Sequence, residues 1–160
     1  MTVQPGDRVP EATLKTMTPE GIQDVSSREL FEGKKVVLFS VPGAFTPTCS
    51  DLHRPSFVDK LSELKARGVD TVACVAVNDP FVMSAWRRAR NIPDDILLLS
   101  DGNGDFARAM GLDFDASRFG MGTRSRRYAA VVEDGVIQSI GVEPGGEVTV
   151  SGAEAVLQAL

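Results

Sequence analysis

Three strand-length apolar runs, separated by helical patterns, constrain the fold of this chain more than any other feature. The runs lie at 35–41, 69–77 and 96–99. Near-continuous apolar runs are typical of central strands covered on both faces, and strands that alternate with helices usually form parallel sheets. The sequence therefore predicts an α/β protein whose central sheet lies between layers of helices.

Two predicted hairpins flank this alternating unit. Short strands at 12–17 and 22–25 surround the turn TPEG, and strands at 127–132 and 136–142 surround the turn EDG. Glycine-containing turns between apolar runs are typical of antiparallel hairpins, so the sheet should be mixed, with an N-terminal hairpin extension. We predict a single domain over 1–160, because no linker, internal repeat or low-complexity segment divides the chain.

The remaining segments favour helices, with one exception. Helical patterns lie at 26–31, from about 49 to 68, at 80–89, at 105–110, and in a final helix capped by Ser151. Pro55 should kink the second helix or mark its first turn. The third should bury a face made of Phe81, Ala85, Trp86 and Ala89. The glycine-rich segment 113–125 has no clear period and is predicted to be a long loop.

Composition excludes several functional classes. Of its 160 residues, 42% are hydrophobic and 24% are charged, as in ordinary globular domains. The net charge of −5 argues against nucleic acid or an acidic membrane as a partner. Two cysteines and one histidine offer neither a disulfide framework nor a zinc site. The opening residues MTVQPGD lack a signal-peptide pattern, and no run is long enough to span a membrane, so we expect a cytoplasmic protein.

Cys49 is the strongest candidate for a chemical role. It follows a buried strand and a loop with two prolines and a glycine, and it stands at the start of a helical pattern. The unpaired N–H groups and the dipole of a helix N-terminus favour negative charge, so a cysteine there is shifted toward thiolate. A buried inert cysteine is the alternative, but the polar, proline-framed loop makes it the weaker interpretation.

The loop sequence PGAFTPTCS at 42–50 fits the Pro-x-x-x-Thr-x-x-Cys signature of peroxiredoxins and resembles the type II subfamily. VNDPFV at 77–82 and GTRSRRY at 122–128 resemble the same subfamily, so the similarity covers almost the whole chain. The resemblance implies a thioredoxin-like fold. It also implies reduction of hydrogen peroxide or organic hydroperoxides by Cys49, without a cofactor.

Three further residues receive roles beside Cys49. Breaking a peroxide requires a thiolate and donors for the departing oxygen. Thr46 offers a hydroxyl able to donate to a peroxide oxygen, and Pro42, which has no N–H, can shield the thiolate from water. The resemblance implies that the guanidinium of Arg127 interacts with the thiolate and with the peroxide. The alternative is that Arg124, Arg126 and Arg127 form only a solvated basic patch.

The positions of the cysteines favour an external thiol as the reductant. Cys74 lies in the apolar run VACVAV, so core packing is the favoured interpretation. Some type II relatives carry a resolving cysteine in the C-terminal region, where this chain has VTVS at 148–151. The sulfenic acid on Cys49 must therefore meet an external thiol, or Cys74 after substantial unfolding. The resemblance implies glutathione with glutaredoxin, or thioredoxin, and it favours a homodimer packed near the active-site loops.

Other interpretations are weaker. His53, one helical turn after Cys49, suggests a Cys–His protease dyad, but no orienting partner or oxyanion site can be named. The segment DGNGD at 101–105 resembles the start of a calcium loop but lacks the glycine and glutamate that follow, so a turn and helix cap is preferred. A thiol–disulfide oxidoreductase lacks a vicinal cysteine, because Leu52 occupies that position. A redox sensor using Cys49 stoichiometrically stays open.

Overall fold

A seven-stranded mixed sheet forms the centre of the protein. The computed structural model describes residues 2–47, 54–145 and 148–160. Its strands are β1 (Thr13–Thr18), β2 (Gly21–Ser26), β3 (Lys35–Val41), β4 (Thr71–Ala76), β5 (Ile96–Ser100), β8 (Tyr128–Glu133) and β9 (Val136–Val142). They lie in the order β2-β1-β5-β4-β3-β8-β9, with β3, β4 and β5 parallel and their neighbours antiparallel. The predicted mixed sheet and both flanking hairpins are confirmed.

Helices cover both faces of this sheet. They are α1 (Ser27–Phe31), α2 (Arg54–Asp59), α3 (Leu61–Ala66), α4 (Pro80–Arg90), α5 (Asp105–Met110) and α6 (Ala153–Ala159). Side chains of β3 alternate between two cores: Val37, Phe39 and Val41 pack on one face, and Val36 and Leu38 on the other. This burial on both faces explains the continuous apolar run of β3. Within the described ranges, no helix is long and apolar enough to cross a membrane.

The prediction of a long loop at 113–125 is wrong. This segment is a small antiparallel ribbon of β6 (Asp113–Asp115) and β7 (Thr123–Ser125), joined through a short 3-10 helix at Ser117–Phe119. Strands of three residues are too short to show an alternating pattern. Gly120 and Gly122 turn the chain between them at φ of 72° and 66°, where glycine is favoured.

Two helix details also differ from prediction. Phe81 is 65% exposed and Ala89 is also exposed, whereas α4 buries Met83 and Trp86. The predicted apolar face is therefore wrong at Phe81 and Ala89, while Ala85 is partly buried and Trp86 is fully buried. The second predicted helix is interrupted at Lys60, between α2 and α3. Pro55 is the second residue of α2 and lies in its first turn, which is one of the two predicted alternatives. Its predicted start near Cys49 lies outside the described residues.

Ser151 does not cap α6. Gly152 occupies the N-cap position, and the Ser151 hydroxyl donates instead to the carboxylate of Glu143 at 2.7 Å. Glu143 follows β9 and is buried, so its charge attracts the nearest hydroxyl more strongly than a helix terminus does.

Candidate active site

The predicted nucleophile lies between two described elements that are packed together. Cys49 and His53 fall in 48–53, outside the described residues. Before this segment, β3 ends at Val41, and after it α2 begins at Arg54. The rings of Phe39 on β3 and Phe57 on α2 stack with centroids 4.1 Å apart. The strand and the helix that flank Cys49 in the sequence are therefore held against each other.

The loop that leads toward Cys49 has a compact hydrogen-bonded turn. The carbonyl of Gly43 accepts from the Thr46 hydroxyl at 2.7 Å and from the Thr46 N–H at 3.4 Å. The Ala44 N–H donates to Oδ1 of Asn78, which follows β4, at 2.9 Å. Phe45 adopts a φ of 67°, a conformation that costs free energy for a bulky residue. Such a costly conformation persists because contacts on both sides hold the turn.

Thr46 is placed to accept rather than to donate. A hydroxyl has one hydrogen, and that of Thr46 is directed to the Gly43 carbonyl. Its oxygen keeps lone pairs that can accept from a peroxide O–H. The predicted donation from Thr46 to a peroxide oxygen would require breaking this 2.7 Å bond, and the donors for the departing oxygen are then better sought elsewhere.

Arg127 belongs to the same end of the sheet as this loop. It immediately precedes β8, whose first residue Tyr128 pairs with Ser40, one residue before the end of β3. Arg127 is 4% exposed. Its carbonyl accepts from the Glu143 N–H at 2.9 Å. A buried arginine is not part of a solvated patch, so that alternative fails for Arg127.

The three arginines of the basic cluster divide by environment. Arg126 is exposed and Arg127 is buried, while Arg124 is partly buried. The guanidinium of Arg124 donates to three main-chain carbonyls, those of Pro42, Val77 and Met121. The sequence analysis missed this role, although Arg124 stands in the GTRSRRY segment that carried the resemblance. Its proximity in the sequence to Arg126 and Arg127 suggested only a shared charge.

A buried polar layer lies beneath this end of the sheet. The hydroxyls of Ser40 and Ser125 are 2.7 Å apart. Burial raises the pKa of the Tyr128 phenol far above its ordinary value, and the Asp101 carboxylate adds to this, while a hydrogen bond with Ser40 opposes it. Tyr128 therefore stays neutral and does not serve as a base.

Asp101 confirms the helix-cap interpretation of the DGNGD segment. Its carboxylate accepts from the N–H groups of Phe106 and Ala107 in α5, at 3.0 and 2.9 Å. Burial raises the pKa of this carboxyl, and these two hydrogen bonds oppose the rise. In the ranges that the structure describes, no group of three or more histidine, cysteine or acidic side chains could hold a metal ion.

Cys74 is a core residue, as predicted. It is fully buried in β4, where it pairs with Phe39 of β3 and Leu98 of β5. Its side chain lies in the apolar core between the sheet and the helices on one face, so an external reagent reaches it only if that core opens.

Comparison with known proteins identifies the family to which this chain belongs. The family model described as Redoxin matches residues 4–157. Peroxiredoxin-2E-2, chloroplastic, of Oryza sativa subsp. japonica is 50% identical over 164 residues, which cover 99% of this chain and 73% of that relative. Peroxiredoxin-2C of the same organism is 46% identical over 156 residues, covering 97% of this chain and 96% of that relative.

Solved structures agree with these relatives. The crystal structure of reduced Prx3 from Vibrio vulnificus in complex with H₂O₂ matches with a TM-score of 0.94 and 48% identity, covering 99% of both chains. Oxidized Prx3 from the same organism matches with a TM-score of 0.90 and 49% identity over the whole of both chains. The thioredoxin-like fold implied by the sequence resemblance is therefore confirmed.

Proposed function

This chain belongs to the Redoxin family as a thiol-dependent peroxidase of the peroxiredoxin kind, and we propose that Cys49 is its peroxidatic cysteine. The Cys49 thiolate attacks one oxygen of hydrogen peroxide or an organic hydroperoxide. The O–O bond breaks, and the sulfur is oxidised to a sulfenic acid. The second oxygen leaves as hydroxide or alkoxide and takes up a proton from solvent.

One observation carries this proposal. Thr46 and Arg127 are 81 positions apart in the sequence, yet one follows β3 and the other precedes β8, the antiparallel partner of β3. The sheet thus brings both to the end at which the chain continues toward Cys49. An arginine fork can donate to two oxygens at once, which suits a thiolate together with a peroxide. Arg127 is proposed to polarise the peroxide, with Thr46 accepting from it.

Pro42 completes the proposed site. It is partly buried directly after β3, and it has no N–H that could hydrogen-bond with a thiolate or a peroxide. Its ring is proposed to limit the access of water to the thiolate, which strengthens the electrostatic interactions there.

Glutathione with glutaredoxin is the proposed reductant. The segment 148–151 contains no thiol, and Cys74 is fully buried, so an external thiol must resolve the sulfenic acid. Glutathione would form a mixed disulfide with Cys49 and release water. Glutaredoxin would then reduce that disulfide and regenerate the thiolate. Turnover with thioredoxin in place of glutathione and glutaredoxin decides between the two systems.

A homodimer in the cytoplasm is proposed for the working protein. Phe45 lies in the loop 42–46, Phe81 lies near the start of α4, and Phe119 ends the 3-10 helix between β6 and β7. All three are exposed, and exposed aromatic residues are common at protein interfaces. The cytoplasm supplies glutathione and keeps thiols reduced. Analytical ultracentrifugation tests the dimer. Fractionation of source cells tests the compartment, and recovery of the protein from an organelle would contradict that part.

The central experiment compares two cysteine variants under steady-state turnover. With glutathione and glutaredoxin supplied, Cys49→Ser should abolish peroxide consumption, whereas Cys74→Ser should retain most of it. Loss of activity only in Cys74→Ser would contradict the assignment. Consumption of one equivalent of peroxide by the wild-type protein, followed by arrest with either reductant, would instead indicate a redox sensor.

A further inference from the structure

The Arg124 side chain joins three separate segments at the site end of the sheet. Its Nη1 donates to the carbonyl oxygens of Pro42 at 3.4 Å and Val77 at 3.1 Å, and its Nε donates to that of Met121 at 2.9 Å. Pro42 directly follows β3 and Val77 directly follows β4, while Met121 lies in the turn of the β6–β7 ribbon. One guanidinium therefore fixes the relative positions of two parallel strand ends and the ribbon.

Gly43 allows this close approach. A methyl group at Gly43 would lie 3.1 Å from Nη1 of Arg124 and 3.3 Å from Cγ2 of Thr46. Both distances are tighter than ordinary van der Waals contacts, so a larger residue at 43 would displace the guanidinium, the threonine or both. Gly43 is therefore packed directly between the side chains of Arg124 and Thr46.

Asn78 holds the other side of the same loop. Its side-chain oxygen accepts from the Ala44 N–H at 2.9 Å, and its main-chain carbonyl accepts from the Ser100 hydroxyl. The carbonyl of Pro42 is thus held by Arg124 of β7, and the N–H of Ala44 is held by Asn78, which follows β4. Thr46, whose hydroxyl bonds to Gly43, takes its position from a turn that is fixed from both sides.

We propose that Arg124 is a positioning residue of the peroxidase reaction, which holds the loop 42–46 so that Thr46 meets the peroxide in a productive geometry. This inference rests on the proposed function. A lysine carries the same charge, but it lacks the planar fork that reaches carbonyls in different directions. The geometry of the side chain, more than its charge, should therefore determine the rate.

Two reagents separate geometry from thiolate reactivity. Iodoacetamide alkylates a thiolate directly, whereas a peroxide also needs correctly placed groups around the reacting oxygens. The measured quantity is the ratio of the second-order rate constants of reduced protein with hydrogen peroxide and with iodoacetamide. Misplacement by about 1 Å can reduce a rate by a factor of about 100. We expect Arg124→Lys and Arg124→Gln to lower the ratio by roughly tenfold to a hundredfold.

The neighbouring exposed arginine provides the matched control. Arg126→Lys and Arg126→Gln make the same chemical changes two positions away and should leave the ratio within about twofold of wild type, as is usual for surface substitutions. Gly43→Ala is an independent variant that keeps Arg124 and should lower the ratio in the same direction, because its methyl group crowds Nη1. This variant decides the question if the Arg124 variants fail to fold.

The possible results distinguish failure of the positioning role of Arg124 from failure of the proposed function. A wild-type ratio in both Arg124→Lys and Gly43→Ala would overturn the positioning role. A wild-type ratio in Arg124→Lys with a low ratio in Arg124→Gln would mean that charge alone matters, which also overturns it. If wild-type protein did not react with peroxide, or if Cys49→Ser still did, the proposed function itself would fail, and this is seen before any Arg124 variant is compared.

Discussion

The loop after β3 and the segment before α6 are each held by one charged side chain, but the charges have opposite signs. Arg124 donates to three carbonyls around the loop 42–46, whereas Glu143 accepts from the segment 149–151. The Glu143 carboxylate receives three N–H groups and two hydroxyls at 2.7–2.8 Å, from Thr149, Val150 and Ser151. A strand end offers carbonyls to a cation, and a helix start offers N–H groups to an anion.

The hydrogen bonds that hold the Glu143 anchor depend on the ionisation of its carboxylate, so the stability of this anchor depends on pH. Burial alone would raise the pKa of Glu143, but hydrogen bonds from Ser151 and Thr149 outweigh burial and lower the pKa to about 2. We therefore expect the Glu143 anchor to govern stability and the Arg124 anchor to govern the peroxide reaction.

Removal of the Glu143 carboxylate should have the largest effect on stability. Glu143→Ala leaves the N–H groups of Thr149, Val150 and Ser151 without their acceptor in a buried site, and it should lower the free energy of unfolding by about 4 kcal/mol. Urea denaturation followed by circular dichroism measures the change. Glu154→Ala on α6 is the matched control, because the side chain of Glu154 is 69% exposed, and it should change the value by less than about 0.5 kcal/mol. Equal losses in both variants would contradict the comparison.

Acid should weaken the wild-type protein through the same group. The pKa of Glu143 is about 2 in the folded state, against an ordinary value of 4.5. A lowered pKa gives stability that is fully present above about pH 5 and is lost as the pH falls toward 2, on the order of 3 kcal/mol in total. Asp101, whose pKa is raised by burial, acts in the opposite direction.

The contributions of Glu143 and Asp101 to the pH dependence of stability can be separated by comparing wild type with Glu143→Ala. The gap in unfolding free energy between wild type and Glu143→Ala should be constant above about pH 5 and narrow steadily toward pH 2. Arg124→Lys should show no such narrowing, because this substitution leaves the Glu143 carboxylate and its hydrogen bonds in place. A pH-independent gap for Glu143→Ala would show that the carboxylate acts through packing alone.

A smaller effect should come from Gly141, which faces the segment held by Glu143. A methyl group at Gly141 would lie 2.1 Å from the carbonyl oxygen of Val150, so the main chain must shift. Gly141→Ala should lower the unfolding free energy by about 2 kcal/mol, as overpacking usually does. Gly102→Ala, whose methyl group would have no neighbour nearer than 3.6 Å, is the control.

A double variant tests whether the two residues hold the same segment. If they do, Gly141→Ala should cost less in a Glu143→Ala background than in wild type, because the segment 149–151 is already released there. Strict additivity of the two losses would argue that the residues act independently.

The sequence predicted those parts of the fold whose signals are local. The continuous apolar run predicts β3, and the sequence Asn-Asp-Pro predicts the start of α4, each from a few neighbouring residues. Asp79 caps α4 as predicted, by accepting from the Val82 N–H at 2.8 Å. The ribbon at 113–125 was missed because its strands have three residues each. Ser151 was misassigned as a cap because Glu143, eight residues earlier, competes for its hydroxyl.

The site residues also divide into those that a short sequence motif reveals and those that depend on contacts distant in the sequence. The motif around Cys49 singles out Pro42 and Thr46 from one short stretch, and the resemblance adds Arg127. Arg124 contacts Pro42 across 82 positions and Val77 across 47. Its acceptors are main-chain atoms that every residue type possesses, so no pattern of side chains could reveal them.

The contacts of Arg124 also bear on how sequences of this kind can diverge. Among the residues that the structure describes, the guanidinium donates to main-chain oxygens, so the side chains at positions 77 and 121 take no part in those hydrogen bonds. Substitutions at those two positions therefore keep the acceptors, whereas any replacement of the arginine removes all three donations together. Selection on these hydrogen bonds therefore acts on the codon of Arg124, whereas positions 77 and 121 can change without loss of their acceptor oxygens.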